Sequence, residues 1–315
     1  MENNVFKVVL LQALPASGKS EVRNFMANIE PERLKKEFHI GENLQLDDFP
    51  YVHMMRRIDN ELEAMGQARL FYPGEEPFID GRDWGTLCCL LNEDYHDLLN
   101  RNVQKPDSCA QLLFDRYDRA GQIVGIAPRL GKLPEEIRKK LAEKLEAEAA
   151  AMLKEKQDAY PDSFDGKTII IECARGGPDG ASMPLTGSDG YQYSLPMFCQ
   201  EILENAAILY IWVTPEESRR KNADRADPND PGSNLHHGVP LAVMLGEYGC
   251  DDMEYLVNTS EQKGTYHVPI GIFDNRVDKT SFLRAEPSAW DAALVEDVTC
   301  AIRQATDTMW AGYRK

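Results

Sequence analysis

The sequence predicts an α/β protein: a three-layer αβα core around a parallel five-stranded sheet, interrupted by a largely helical insertion. Short runs rich in Val, Ile and Leu alternate with stretches of helical periodicity, the pattern left by strands joined through crossover helices. Each run is followed by turn residues or a helix start, as in a doubly wound sheet. With 315 residues, 43% of them apolar, the chain can also bury a full core.

The first strand is expected over residues 5–13, followed by a helix with Val22, Phe25, Met26 and Ile29 on one face. A second strand over 43–47 leads to a helix carrying Val52, Met55, Ile58, Leu62 and Met65, and both helices are expected to pack on the sheet. Residues 67–166 exceed any ordinary crossover and read as an insertion. Within it, 134–159 is a helix with Ile137, Leu141, Leu145 and Met152 on one side, stopped at Tyr160-Pro161. Strands follow over 168–173 and 207–213, and Thr214-Pro215-Glu216-Glu217 opens a helix with capping-box spacing. The fifth strand is 268–273, and a last helix over 287–310 buries Leu294, Val298, Ile302, Ala305 and Met309. The core is thus 1–66 plus 167–315, with 67–166 as a substrate-side subdomain.

Charge narrows the partners. The net charge of -17, from 52 acidic and 35 basic residues, opposes long-range attraction to nucleic acid or anionic lipid. The longest apolar runs are too short to span a bilayer, and Met1-Glu2-Asn3-Asn4 has no basic start of a signal peptide, so a cytoplasmic protein is expected. Seven cysteines without CxxC spacing predict reduced thiols rather than disulfides or a zinc site, and the adjacent His236 and His237 lack metal-ligand spacing.

The densest chemistry lies between the first strand and its helix. Ala13-Leu14-Pro15-Ala16-Ser17-Gly18-Lys19-Ser20 fits the pattern GxxxxGK[ST] except at its first position, and it sits where that pattern needs to sit. In such a loop, which runs here from Pro15 through Ala16 and Ser17 to Glu21, the backbone N–H groups after Pro15 surround the phosphates of ATP. Lys19 adds a point charge at the β- and γ-phosphates, and Ser20 ligates Mg²⁺. Gly18 lets the backbone approach. Ala13 in place of glycine is tolerated if its φ is negative, which is the expectation at a strand end.

The loop and its place near the N-terminus resemble those of P-loop small-molecule kinases of the adenylate-kinase, uridine-kinase and zeta-toxin kind. Leu46-Asp47-Asp48-Phe49 resembles their strand-end acid motif, which implies Asp47 as catalytic base and Asp48 as a substrate contact or a sharer of that role. The same two acids also suit the cap of the next helix. Ile171-Glu172-Cys173-Ala174-Arg175 looks like their third-strand segment, which implies Glu172 near Mg²⁺ and Arg175 on the substrate. The helix after Thr214-Pro215 carries Arg219, Arg220 and Arg225 and resembles a lid, about 215–240, with Arg220 and Arg225 as the catalytic candidates. Phe273-Asp274-Asn275 is similar to the segment beside adenine, placing Asn275 at the nucleotide. Arg82, Trp84 and the glycine-rich loop over 176–190 are candidates for substrate contact.

The function implied is Mg²⁺-dependent transfer of the ATP γ-phosphoryl group to a hydroxyl or phosphate of a nucleoside, sugar or nucleotide-sugar. A nucleotide-binding regulator without catalysis is the alternative. A GTPase switch is a third reading, carried by Asp118-Arg119-Ala120-Gly121 as a DxxG match but lacking an Asn-Lys-x-Asp motif.

Overall fold

The fold, taken from a computed structural model, is described for residues 4–225, 238–259 and 268–313, with the Arg225 side chain outside that description. Five strands, β1 Val8–Gln12, β2 Glu42–Asp47, β3 Lys167–Cys173, β4 Ala206–Trp212 and β5 Ile270–Asp274, pair in parallel in the order β2-β3-β1-β4-β5. Register keeps their C-terminal ends level: Gln12 lies beside Cys173 and Tyr210, and Asp47 beside Glu172.

Among the described residues, α1 Lys19–Ala27, α2 Pro31–Phe38 and α3 Phe49–Ala64 precede the insertion, which holds α4 Asp83–Asn100, α5 Cys109–Ile123 and α6 Glu135–Asp158. After β3 come α7 Gly190–Ser194, α8 Gln200–Glu204, α9 Pro215–Arg225, α10 Leu241–Gly246, α11 Met253–Thr259 and α12 Ala292–Tyr313.

The chain leaves β1 toward the β2 edge and then steps back through β3 and β4 to β5. Crossovers of one hand therefore place α1 and α2 on one face and the later connections on the other. Val22, Phe25, Leu34, Phe38, Ile302 and Met309 pack on the first face. Leu91, Tyr95, Tyr191, Ile202 and Leu256 pack on the second. β1, buried along its whole length between β3 and β4, is the centre of both cores.

Two expectations need correction. The face of α3 with Met55, Ile58 and Leu62 packs not on the sheet but in a third core with Leu87, Phe114, Leu141 and Leu145 of the insertion. The apolar periodicity of α3 was real, but the partner comes from residues distant in sequence. The last helix starts later than 287, at Ala292, after a 3-10 turn at Pro287–Ala289, and Leu294 is exposed.

α4 bridges the two regions: Cys88, Leu91 and Tyr95 meet the sheet core, while Trp84, Leu87 and Leu90 meet the helical core. The third core thus lies against the C-terminal strand ends, where open α/β sheets form their ligand crevices.

Candidate functional site

The β1–α1 loop is held from outside by its neighbours. The Ser218 hydroxyl of α9 donates to the Pro15 carbonyl at 2.7 Å, and Asn275 Nδ2, just past β5, donates to the Ser17 carbonyl at 2.7 Å and to Thr280 Oγ1 at 3.0 Å. Lys19 Nζ donates to the carbonyls of Ala13 at 3.2 Å and Leu14 at 3.5 Å. With these loop carbonyls engaged, the first-turn N–H groups of α1, which have no acceptor within the helix, remain for a ligand.

Gly18 is required twice over. Its φ is +107°, and a Cβ there would stand 2.5 Å from Thr280 Oγ1. Among the described residues, the non-glycine residues with positive φ are Ala16, His39 and Arg101; Ala13 is not one of them, so its side chain carries no such strain. Burial lowers the pKa of Lys19, and Glu172 leads the nearby acids that oppose the shift.

Opposite the loop stand the strand-end acids. Asp47 at the end of β2 and Glu172 in β3 are paired in register, and Arg23 of α1 holds Glu172 at 2.7 Å. Burial, then the charges of Glu172 and Asp48, push the Asp47 carboxyl up to about 7, although its Oδ1 accepts from Phe49 N–H at 2.9 Å. Asp47 is thereby poised to accept a proton near neutrality.

These groups meet in a cavity of about 130 Å³ that runs from the loop, including Lys19 and Ser20, past Asp47, Asp48 and Glu172. Arg56, Tyr72, Trp84, Glu247 and Tyr248 also line it. A wider cleft of about 990 Å³ between β2 and α6 meets it at Arg23, Asp47 and Phe49.

Other predicted residues stand elsewhere. Arg175 is fully buried outside the cavity lining, where Nη1 donates to Asp48 Oδ2 at 2.6 Å, Nη2 donates to Cys88 Sγ at 3.4 Å, and the guanidinium covers Trp84 at 4.8 Å. Asp48 and Arg175, both expected on the substrate, form an ion pair that ties the start of α3 to the end of β3; Asp48 also lines the cavity, and Arg175 does not. Arg82 binds Asp80 at 2.6 Å and the Gly125 carbonyl at 2.9 Å, and it does not line the cavity. Arg220, also outside the lining, binds Glu217 at 2.7 Å and Asp224 at 2.5 Å. Glu21 accepts from Arg284 at 2.7 Å, and Asn275 supports the loop from behind. The Arg225 side chain, much of the expected lid, His236 and His237 lie outside the described residues.

Sequence reading passed over Arg23, Arg56, Tyr72, Ser218, Glu247 and Tyr248. Glu247 and Tyr248 had a signal: they are flanked by Gly246 and Gly249, where a Cβ would stand 2.6 Å from Pro77 Cγ and 2.2 Å from the Asp179 nitrogen. Such close approach marks a tightly built turn. Asp118, the DxxG acid, lies within α5 and accepts the backbone N–H groups of Arg129, Leu130 and Gly131.

Among the described residues, no three His, Cys, Asp or Glu side chains converge to hold a metal on their own. No described helix is long and apolar enough to cross a membrane. Comparison with family models, with curated proteins and with solved structures gives no match.

Proposed function

We propose that this chain is a P-loop kinase that transfers the γ-phosphoryl group of ATP to a hydroxyl of a small molecule. The observation that carries this reading is the meeting, in one cavity, of Lys19 at the end of the β1–α1 loop and Asp47 at the end of β2, two strands away across β3. The loop N–H groups and the α1 N-terminus would receive the phosphates, and Lys19 would exchange the carbonyls of Ala13 and Leu14 for phosphate oxygens.

Asp47 would hold the acceptor hydroxyl and take its proton as the oxygen bonds to the γ-phosphorus and the bridge to the β-phosphate breaks. Arg23 would keep Glu172 in place. Ser20 and Glu172 both line the cavity and fit a Mg²⁺ bound jointly with the nucleotide. When bound, that ion neutralises charge on the β- and γ-phosphate oxygens.

The test is a Mg·ATP titration of wild type and Lys19→Ala, then a search for phosphorylated products with nucleoside, sugar and nucleotide-sugar libraries. Lys19→Ala is expected to bind Mg·ATP at least about a hundredfold more weakly, the loss of a charged contact worth about 3 kcal/mol. Equal affinity in the two proteins would sink the phosphate-loop assignment, and full turnover by Asp47→Asn would remove Asp47 as the base. One observation favours the second reading, a nucleotide-binding regulator: neither Arg220 nor Arg175 lines the cavity. Tight Mg·ATP binding without transfer to any library member would support it.

A further inference from the structure

Glu247 has no role in the chemistry proposed above, yet it stands out among the groups that line the cavity. It is 6% exposed, its Oε1 accepts from Phe78 N–H at 3.0 Å, and its Oε2 has no hydrogen-bond partner among the described residues. A buried carboxylate oxygen without a partner costs free energy unless a ligand or a proton satisfies it. Burial indeed holds this carboxyl up at about 7.

The surroundings restrict what could bind there. The rings are already engaged: Tyr72 has the Arg56 guanidinium 3.9 Å from its centroid and Phe78 stacked at 4.3 Å. Trp84 carries Arg175 over its ring, with Phe78 and Tyr248 packed edge-on. A nucleobase would therefore find neither Tyr72 nor Trp84 free as a stacking platform.

The guanidinium groups are engaged as well. Arg23 pairs with Glu172, Arg175 with Asp48, and Arg56 donates to the Gly74 carbonyl at 3.1 Å. A phosphate on the acceptor would face Asp47, Asp48, Glu172 and Glu247, with Arg56 the one guanidinium of these three that has no carboxylate partner among the described residues.

We infer that the part of the cavity lined by Glu247 is the acceptor subsite, that Glu247 Oε2 accepts a hydrogen bond from an N–H or O–H of the acceptor, and that the acceptor is a phosphate-free polar molecule of the monosaccharide or amino-alcohol class. This inference rests on the transfer reading for the role of the ligand as acceptor, but the binding site can be tested apart from it. Of the hydroxyl and phosphate acceptors that a kinase of this kind could take, the four facing acids favour the former, and a nucleobase is offered neither Tyr72 nor Trp84 to stack on.

The experiment is calorimetric titration, with and without Mg²⁺ and a non-hydrolysable ATP analogue, of a panel of monosaccharides, amino sugars, amino alcohols, nucleosides and nucleoside monophosphates. The best binder is then located by crystallography. Glu247→Gln keeps the shape of the side chain and an oxygen for Phe78 N–H. It is expected to weaken a sugar or amino-alcohol ligand about tenfold, leave nucleotide affinity within twofold, and melt no lower than wild type.

Preferential binding of nucleosides or monophosphates overturns the inference. So does binding by no panel member, or a sugar seated away from Glu247. An unchanged affinity in Glu247→Gln does the same. If a sugar seats on Glu247 but Mg·ATP does not bind at Lys19, the subsite stands and the kinase reading fails. If Mg·ATP binds and only nucleosides or monophosphates fill the cavity, the reverse holds.

Discussion

Replacing Asp47 by Asn should stabilise the protein at alkaline pH while removing its proposed base. In the folded chain Asp47 keeps its proton up to about 7, whereas the unperturbed carboxyl releases it near 3.8. Between those values the unfolded chain sheds a proton that the folded chain retains, so wild-type stability falls as pH rises and then levels off above about 7. About three pH units at 1.36 kcal/mol each set an upper bound of about 4 kcal/mol. Asp47 is only part-buried and lines two cavities, and screening brings the expected value to about 2 kcal/mol.

Urea denaturation of wild type and Asp47→Asn at pH 4.5, 6 and 8 measures this directly, since the difference between the two should grow by about 2 kcal/mol in favour of the variant across that range. Turnover of wild type should climb through the same interval, as a base must lose its proton to act. A difference that stays flat, or runs in favour of wild type as pH rises, would refute the reasoning that strand-end burial and the facing acids strain this carboxylate.

Other outcomes follow from the same geometry. Gly18→Ala should lose about 2–4 kcal/mol in chemical denaturation, combining left-handed strain with the contact to Thr280, and should lose Mg·ATP affinity in parallel. Arg175→Ala leaves Asp48 buried without its partner and should cost about 3–5 kcal/mol; an unchanged denaturation midpoint would show that water reaches Asp48 freely. Asn275→Ala strips the Ser17 carbonyl of its donor and should cost about 1–3 kcal/mol, with nucleotide affinity by calorimetry falling about tenfold although Lys19 is intact.

The strands were legible because parallel strands buried on both faces are written as continuous apolar runs: 168–173 was expected where β3 is Lys167–Cys173, and 207–213 where β4 is Ala206–Trp212. The α9 start was legible from local chemistry, and Thr214 Oγ1 does accept from Glu217 N–H at 3.2 Å, while the Glu217 carboxylate binds Arg220 rather than closing the capping box. The loop and Asp47 fell together because both follow the C-terminal ends of parallel strands, which the sheet keeps level although β3 lies between β1 and β2. Periodicity gave α3 its buried stripe but could not say that residues 83–158 would cover it. Arg175 makes a related point: an arginine after a strand reads alike whether it faces a ligand or, as here, pairs with a buried aspartate from another element. Glu247 needed the fold, since its surroundings come from Arg56, Tyr72 and Phe78, far away along the chain.

The restraints on the β1–α1 loop also bear on how the protein is synthesised. A ribosome releases residues 13–20 early, yet the hydroxyl that fixes Pro15 comes 203 residues later and the amide that fixes Ser17 comes 258 residues after its target. β1 likewise waits for β3 and β4 before either of its edges is covered. A nascent or prematurely terminated chain therefore displays the letters of a phosphate loop without its shape. Nucleotide affinity should arise only once Thr280 has left the exit tunnel, making ligand capture a report that all five strands have been synthesised.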